Sequence, residues 1–418
     1  MKRFEKLFVI VFVVIFSSIL LVSCTGIKAD KVSKEKKIMS TENLNSNLLS
    51  EKNQNSLLGF SGEIINRNYK KDTNLLISPI SIYLALAMLT NAANGETLTQ
   101  MLTSLGCDQE EINTYCGYLY SLYAENPDNI DVVGIANSIW YNENNLGYTP
   151  KDSFLDINST YYGAEIYKAD FTKKRTVTDI NNWVDNKTNG NIDKIISSID
   201  PMVIMYLINT LSFENQWDTY FSSTEKGNFT NFDGNNVNAK YIKDKLLTYY
   251  DSGKALAFSY PFKNRRFSFL GILPNGDINT YLSEFDGEEL ANLLKNQKGS
   301  NVTARVPCFS YKYDTSLNES LIGMGMSSMF NNADFSNGWD VDVGEVKVAD
   351  ILHKTFIEVD KNGLKAAAAT KVEMRCTSGE LIGVSGNITI NLDRPFMYAI
   401  MDMQYNVPLF IGVTGEVD

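Results

Sequence analysis

The chain holds one histidine, and that bounds the chemistry open to it. His353 has Ile351 two residues before it and Thr355 two after, which is a strand pattern. A Ser-His-Asp site needs its histidine exposed beside a serine held in a sharp turn. No G-x-S-x-G occurs, and Ser223-Thr224-Glu225-Lys226 matches S-x-x-K without a following S-D-N or K-T-G. Cys107, Cys116, Cys308 and Cys376 are far apart and form no C-x-x-C, so neither a disulfide framework nor a zinc site is indicated. Cys107 with Cys116 stays open as a pairing, and Cys308, after Pro307, reads as a small core residue. The residues argue against an enzyme, and no metal or other cofactor is expected.

Residues 353–377 carry a different kind of pattern. From Leu364 the stretch alternates. Leu364, Ala366, Ala368, Thr370, Val372, Met374 and Cys376 form one set, and Lys365, Ala367, Ala369, Lys371, Glu373, Arg375 and Thr377 the other. Every charge falls in the second set, as in a strand with one buried and one wet face. Four consecutive alanines have low β propensity. Gly363 and Thr377-Ser378-Gly379 read as turn or loop. The segment therefore reads as a loop whose side chains are already patterned for a sheet.

The rest of the chain must supply that sheet. Residues 25–50 are polar and without apolar periodicity, a flexible linker with a reach on the order of 25–30 Å. Helical spacing runs from Asn53 to Ile65. Ser78-Pro79 reads as N-cap and first turn of a second helix through Leu89, with Gly95 as its end. Asp131 to Tyr141 is a strand candidate, and Val177 to Ile196 has helical spacing. Met202 to Phe213 is a long apolar run that reads as a strand buried on both faces. Phe267 to Leu273 and Ser300 to Lys312 read as further strands. Met397 to Met401 and Val407 to Val413 flank a polar turn as a buried hairpin. Strands and helices do not alternate regularly, which is an α+β pattern.

These segments carry a resemblance. I-E-V-D-K-N-G-L-K-A-A-A-A-T at 357–370 resembles the hinge of the reactive loop in inhibitory serpins, the serine protease inhibitor family. The order is matched along the chain by N-L-L-I-S-P-I-S-I at 74–82, A-A-N-G-E-T at 92–97 and I-N-N-W-V-D-N-K-T-N-G-N-I at 180–192. I-N-T-L-S-F-E-N-Q-W at 208–217, A-D-F-S at 333–336, D-R-P-F-M-Y-A-I at 393–400 and P-L-F-I-G-V at 408–413 complete it. Thr210 and Leu364 depart from the family's usual alanine and its usual threonine or serine. The resemblance implies one serpin domain over 51–418, with a large central mixed sheet, smaller sheets, surrounding helices and an exposed reactive loop.

It also implies roles. A protease cleaves the loop, which then inserts into the main sheet as a new strand. The hinge would be Gly363, Leu364, Ala366, Ala367, Ala368, Ala369 and Thr370. His353 would sit in the shutter, where the sheet opens, with Ser78, Ser81 and Asn209 as partners, and Trp217 at the top of the sheet, in the breach. Counting along the family pattern from Gly363 implies a scissile bond between Thr377 and Ser378. Arg375 is the rival, because a trypsin-like pocket reads a guanidinium. The alternative from another class is a non-inhibitory serpin used as a cell-surface binding module. The uncharged alternate face of 364–376 favours the inhibitor.

The N-terminus and the charge set the surroundings. Lys2, Arg3 and Lys6 precede an uncharged, mostly apolar run from Leu7 to Val22, which reads as a secretory signal over 1–23. It ends Leu21-Val22-Ser23-Cys24, resembling a bacterial lipobox, with Cys24 as the lipidated residue. The expected location is extracellular, anchored to the cell membrane. Of the 418 residues 44% are hydrophobic and 21% charged, which describes a folded protein with no low-complexity bias. The net charge of −11 argues against nucleic acid as a partner. The expected partner is a protease, and the expected state a monomer.

Overall fold

The computed structural model describes residues 27–33, 50–124, 133–144, 148–200, 202–263, 265–364 and 386–417. Strands form one nine-stranded sheet and two four-stranded sheets, with helices packed around them in an α+β arrangement. The nine-stranded sheet runs from Asn387–Asn391 at one edge, through Gln297–Pro307, Asn236–Asp251, Ala255–Pro261, Phe267–Pro274 and Phe396–Asp402, to Val407–Thr414 and Leu75–Ile77. Glu225–Thr230 pairs off this path with Asn236–Asp251. Phe396–Asp402 and Val407–Thr414 are buried at every residue, as a strand covered on both faces must be. The helix Pro79–Thr90 packs on Val407–Thr414 and is buried at 11 of its positions, so it is apolar all round rather than striped.

The two smaller sheets meet end to end. The first has the order Asp30–Lys31, Glu165–Ala169, Val133–Asn142, Met205–Phe213. The second has Phe309–Ser316, Leu352–Val359, Gly363–Leu364, Asn215–Gln216. Only Glu214 separates Met205–Phe213 from Asn215–Gln216, so one strand line serves both. Below that junction no ladder joins Met205–Phe213 to Leu352–Val359 among the described residues.

Several sequence expectations are corrected. Within the segment read as linker, Asp30–Lys31 pairs with Tyr167 and Lys168, and Ile27 and Ala29 pack on an apolar cluster around Trp140 and Trp183. Two apolar residues in a lysine-rich stretch are too few to show a period. The helix from Pro79 ends at Thr90, and Gly95, at φ +52°, starts the next helix, Gly95–Leu105. Ser78 holds the N-cap position but makes no side-chain cap bond. The helix within 177–196 stops at Lys187. The apolar run from Met202 becomes strand only at Met205, and Met202 is 76% exposed. Ser300 to Lys312 is two strands in two sheets. Pro307 lacks an N–H, and Cys308 donates instead to the Lys240 carbonyl at 2.7 Å as the chain changes sheet. Cys308 is thus half-buried at a crossover rather than in the core, and burial pushes its thiol up to about 11. Cys107 and Cys116 are both buried and both free.

Candidate functional site

Met205–Phe213 and Leu352–Val359, joined by no ladder among the described residues, line the two sides of a cleft open to solvent at its mouth. Leu211, Ser212 and Phe213 form one bank and Thr355 to Glu358 the other. Leu364 closes the head of the cleft. Along Leu352–Val359 the buried residues are His353, Thr355, Ile357 and Val359, so the alternation read from the sequence is the alternation of burial.

Of the segment read as the hinge, Gly363 and Leu364 are described, and they form a short strand at the head of this cleft. Leu364 pairs with Val359 on one side and Asn215 on the other, and Gly363 pairs with Gln216. Leu364 is 4% exposed. Leu364, the departure from the family's usual threonine or serine, is thus accommodated inside. Gly363 has φ +146°, and a Cβ there would run into the Asn215 carbonyl oxygen, so no other residue fits without displacing the neighbouring strand.

Trp217 is 5% exposed and lies stacked on Phe262, ring centroids 4.8 Å apart. It reads the hinge turn at two points. Its indole Nε1–H donates to the Asp360 carbonyl at 2.8 Å, and its backbone N–H to the Asn362 carbonyl at 3.1 Å. The turn itself is closed by Asp360, whose Oδ1 accepts from the N–H of Asn362 at 2.7 Å and of Gly363 at 3.1 Å. The sequence reading passed over Asp360. The signal that could have found it is D-x-N-G, a turn signature in which the aspartate side chain takes the next backbone donors.

His353 lies lower on the same bank, buried against the start of the helix Pro79–Thr90. The Ser78 backbone N–H donates to its Nε2 at 3.0 Å, which assigns the ring proton to Nδ1. Burial lowers its pKa from 6.5 to about 4, so the ring is neutral in the fold. The hydroxyls of Ser78 and Ser81 are 3.0 Å apart. The Ser78 hydroxyl is the donor, its one proton shared between Ser81 Oγ and the Leu409 carbonyl at 2.8 Å. Thr355 Oγ1 donates to the Leu76 carbonyl at 2.9 Å, a second tie between this bank and the nine-stranded sheet.

So the structure brings His353, Ser78 and Ser81 together, but His353 meets Ser78 through the backbone, and Ser81 is one step removed. Asn209 is not in this set. It is on the opposite bank and donates to Asn137 Oδ1 at 2.7 Å, while its own Oδ1 is buried with no partner among the described residues. Cys24, Ala366, Ala367, Ala368, Ala369, Thr370, Arg375, Thr377 and Ser378 lie outside the described residues.

Comparison with known proteins follows the same architecture. The family model described as Serpin (serine protease inhibitor) matches residues 55–415. A serpin-like protein of Thermococcus kodakarensis is 27% identical over 366 residues, covering 86% of this chain and 84% of that one. The crystal structure of a thermophilic serpin, tengpin, in its native state is 36% identical, with a TM-score of 0.82 over 93% of this chain and 100% of that one. Tengpin in its latent state gives 0.75 at the same identity, over 88% and 99%.

Proposed function

The chain belongs to the serpin family, and from that premise we propose that it is a suicide inhibitor of a serine or cysteine endopeptidase. The observation that carries the reading is the divided sheet with its head already occupied by Leu364. Both ladders at Leu364 are antiparallel, so the loop can continue them downward without a change of direction. Kept in register, Ala366 comes opposite Ile357 and Phe213, Ala368 opposite Thr355 and Leu211, and Thr370 opposite His353 and Asn209. That set meets the buried residues of Leu352–Val359. The alternate set meets Glu358, Phe356 and Lys354. The uncharged face of the loop and the buried face of the bank are therefore in phase.

The chemistry belongs to the protease. Its nucleophile attacks the Thr377 carbonyl, the C–N bond to Ser378 breaks, and the freed Ser378 amine leaves with the proton. An ester or thioester now joins Thr377 to the protease. Insertion of the loop drags the protease away before water can attack that bond.

A panel of serine and cysteine proteases tests this. Inhibition yields complexes that survive denaturing electrophoresis, and a nicked sample gains heat resistance. If no protease is trapped and nicking leaves the melting temperature unchanged, the non-inhibitory alternative stands instead. The released C-terminal peptide dates the cut. Proteases that accept small or β-branched residues should release a peptide beginning at Ser378. Trypsin-like enzymes should cut after Arg375 mainly as at a substrate, because a shorter inserting strand carries the protease less far. A peptide beginning at Cys376 from a stable complex overturns this assignment.

The signal segment and lipobox support a place outside the cell, held to a bacterial membrane by lipid on Cys24. Cys24→Ala should move the protein from the membrane fraction to the medium. A variant that stays membrane-bound at wild-type yield rules the anchor out.

A further inference from the structure

We infer that Asp360 is a positioning residue for strand entry, its carboxylate fixing the register from which the loop feeds into the cleft. The inference rests on the inhibitory reading for its consequence, but its geometry stands without it. Val359 and Leu364 are partners across a connection of residues 360–363. Within it the Asp360 N–H donates to the Gly363 carbonyl at 3.0 Å, and Asp360 Oδ1 takes the N–H groups of Asn362 and Gly363. Asn362 Nδ2 donates to Asp360 Oδ2 at 2.7 Å. Both carboxylate oxygens thus hold the one turn, and Trp217 grips the same turn from outside at the Asp360 and Asn362 carbonyls.

Register is what such a turn decides. A slip of one residue between Leu364 and Val359 exchanges the two faces of everything that follows. The set holding Lys365, Lys371, Glu373 and Arg375 would then face the buried side of the cleft. Gly363 alone does not prevent this, because its backbone freedom permits several paths. Two hydrogen bonds that the carboxylate accepts from successive backbone N–H groups select one of them.

Three proteins separate this role from a general contribution to stability: wild type, Asp360→Ala and Asp360→Asn. The asparagine keeps an oxygen that can accept both N–H groups. Amide exchange is followed in the intact proteins, at Leu364 and at residues 215–217, which do not touch the substituted side chain. Asp360→Ala should exchange about tenfold faster there, the factor that accompanies a loss of about 1.4 kcal/mol, while Asp360→Asn follows wild type. With a protease that wild type traps, Asp360→Ala should raise the cleaved, released fraction severalfold at an unchanged rate of first cleavage, and Asp360→Asn should restore trapping. Wild-type exchange in Asp360→Ala overturns the proposal, as does faster exchange with an unchanged cleaved fraction. If wild type traps no protease, the inhibitory reading fails, and the exchange arm alone decides whether Asp360 holds Leu364 in register.

Discussion

Ala368→Glu is expected to turn the protein from a trap into a substrate, while Ala369→Glu still traps. The two positions are adjacent and carry the same residue, so composition cannot separate them. Phase can. Continuing the ladders at Leu364 brings residue 368 opposite Thr355, which is buried, and residue 369 opposite Lys354, which is half-exposed. A carboxylate at 368 must be buried without a partner during insertion, at a cost of several kcal/mol. Each 1.4 kcal/mol is a factor of ten, so the ratio of trapped to released protease should fall by roughly two decades or more. At 369 the new carboxylate meets water and the Lys354 ammonium. Densitometry of covalent complex against cleaved inhibitor measures the ratio, and equal behaviour of the two variants would refute the register.

Lowering the pH from 6.5 towards 4 should destabilise the fold by roughly 3 kcal/mol through His353 alone. The folded ring has its pKa lowered from 6.5 to about 4 by burial, with the Ser78 N–H pointed at Nε2. Above pH 6.5 both states hold it neutral and its contribution is complete. Between the two values the unfolded chain binds a proton that the fold refuses, so stability drops with pH; below about 4 the loss levels off. Because the chain has one histidine, a single substitution removes the effect. His353→Ala should cost about 1–3 kcal/mol at neutral pH by leaving the Ser78 donor unpaired, and should hasten spontaneous conversion to an inactive form. Its denaturant midpoint should then fall less steeply than wild type's from pH 6.5 to 4.5, since only carboxylates remain to titrate. Parallel curves, or a variant as long-lived as wild type at neutral pH, would remove His353 from this role.

How much of this was legible beforehand depended on whether a residue's signal was local. The alternation at 351–359 is a property of neighbours in sequence, and it returned as the burial pattern of the bank; the alternation read beyond Leu364 lies outside the described residues. The position of Ser78-Pro79 was equally readable, because an N-terminal proline needs no partner elsewhere. What failed required knowing the far side. Asn209 is a short step from the expected shutter, yet it turns to Asn137, which the sequence places 72 residues away. The break at Cys308 is invisible in an unbroken strand pattern, because the pattern does not say which sheet each half joins. The start of the Met202 to Phe213 run is apolar but only partly covered, for burial is conferred by neighbours such as the helix Lys174–Lys187 rather than by the strand.

The residues 75–78 serve two masters, and that has a consequence for how the chain is made. Leu75–Ile77 pairs with Val407–Thr414, while the Leu76 carbonyl accepts from Thr355 and the Ser78 N–H donates to His353. Ser78 and Leu409 are 331 positions apart. A ribosome therefore delivers Leu75-Leu76-Ile77 early and all of its partners late. During that interval an apolar strand waits uncovered, the condition in which nascent chains aggregate or recruit chaperones. The Val407–Thr414 strand thus seats Leu75–Ile77 at the edge of the large sheet, and translation that stops short of it leaves Leu75–Ile77 without its ladder partner.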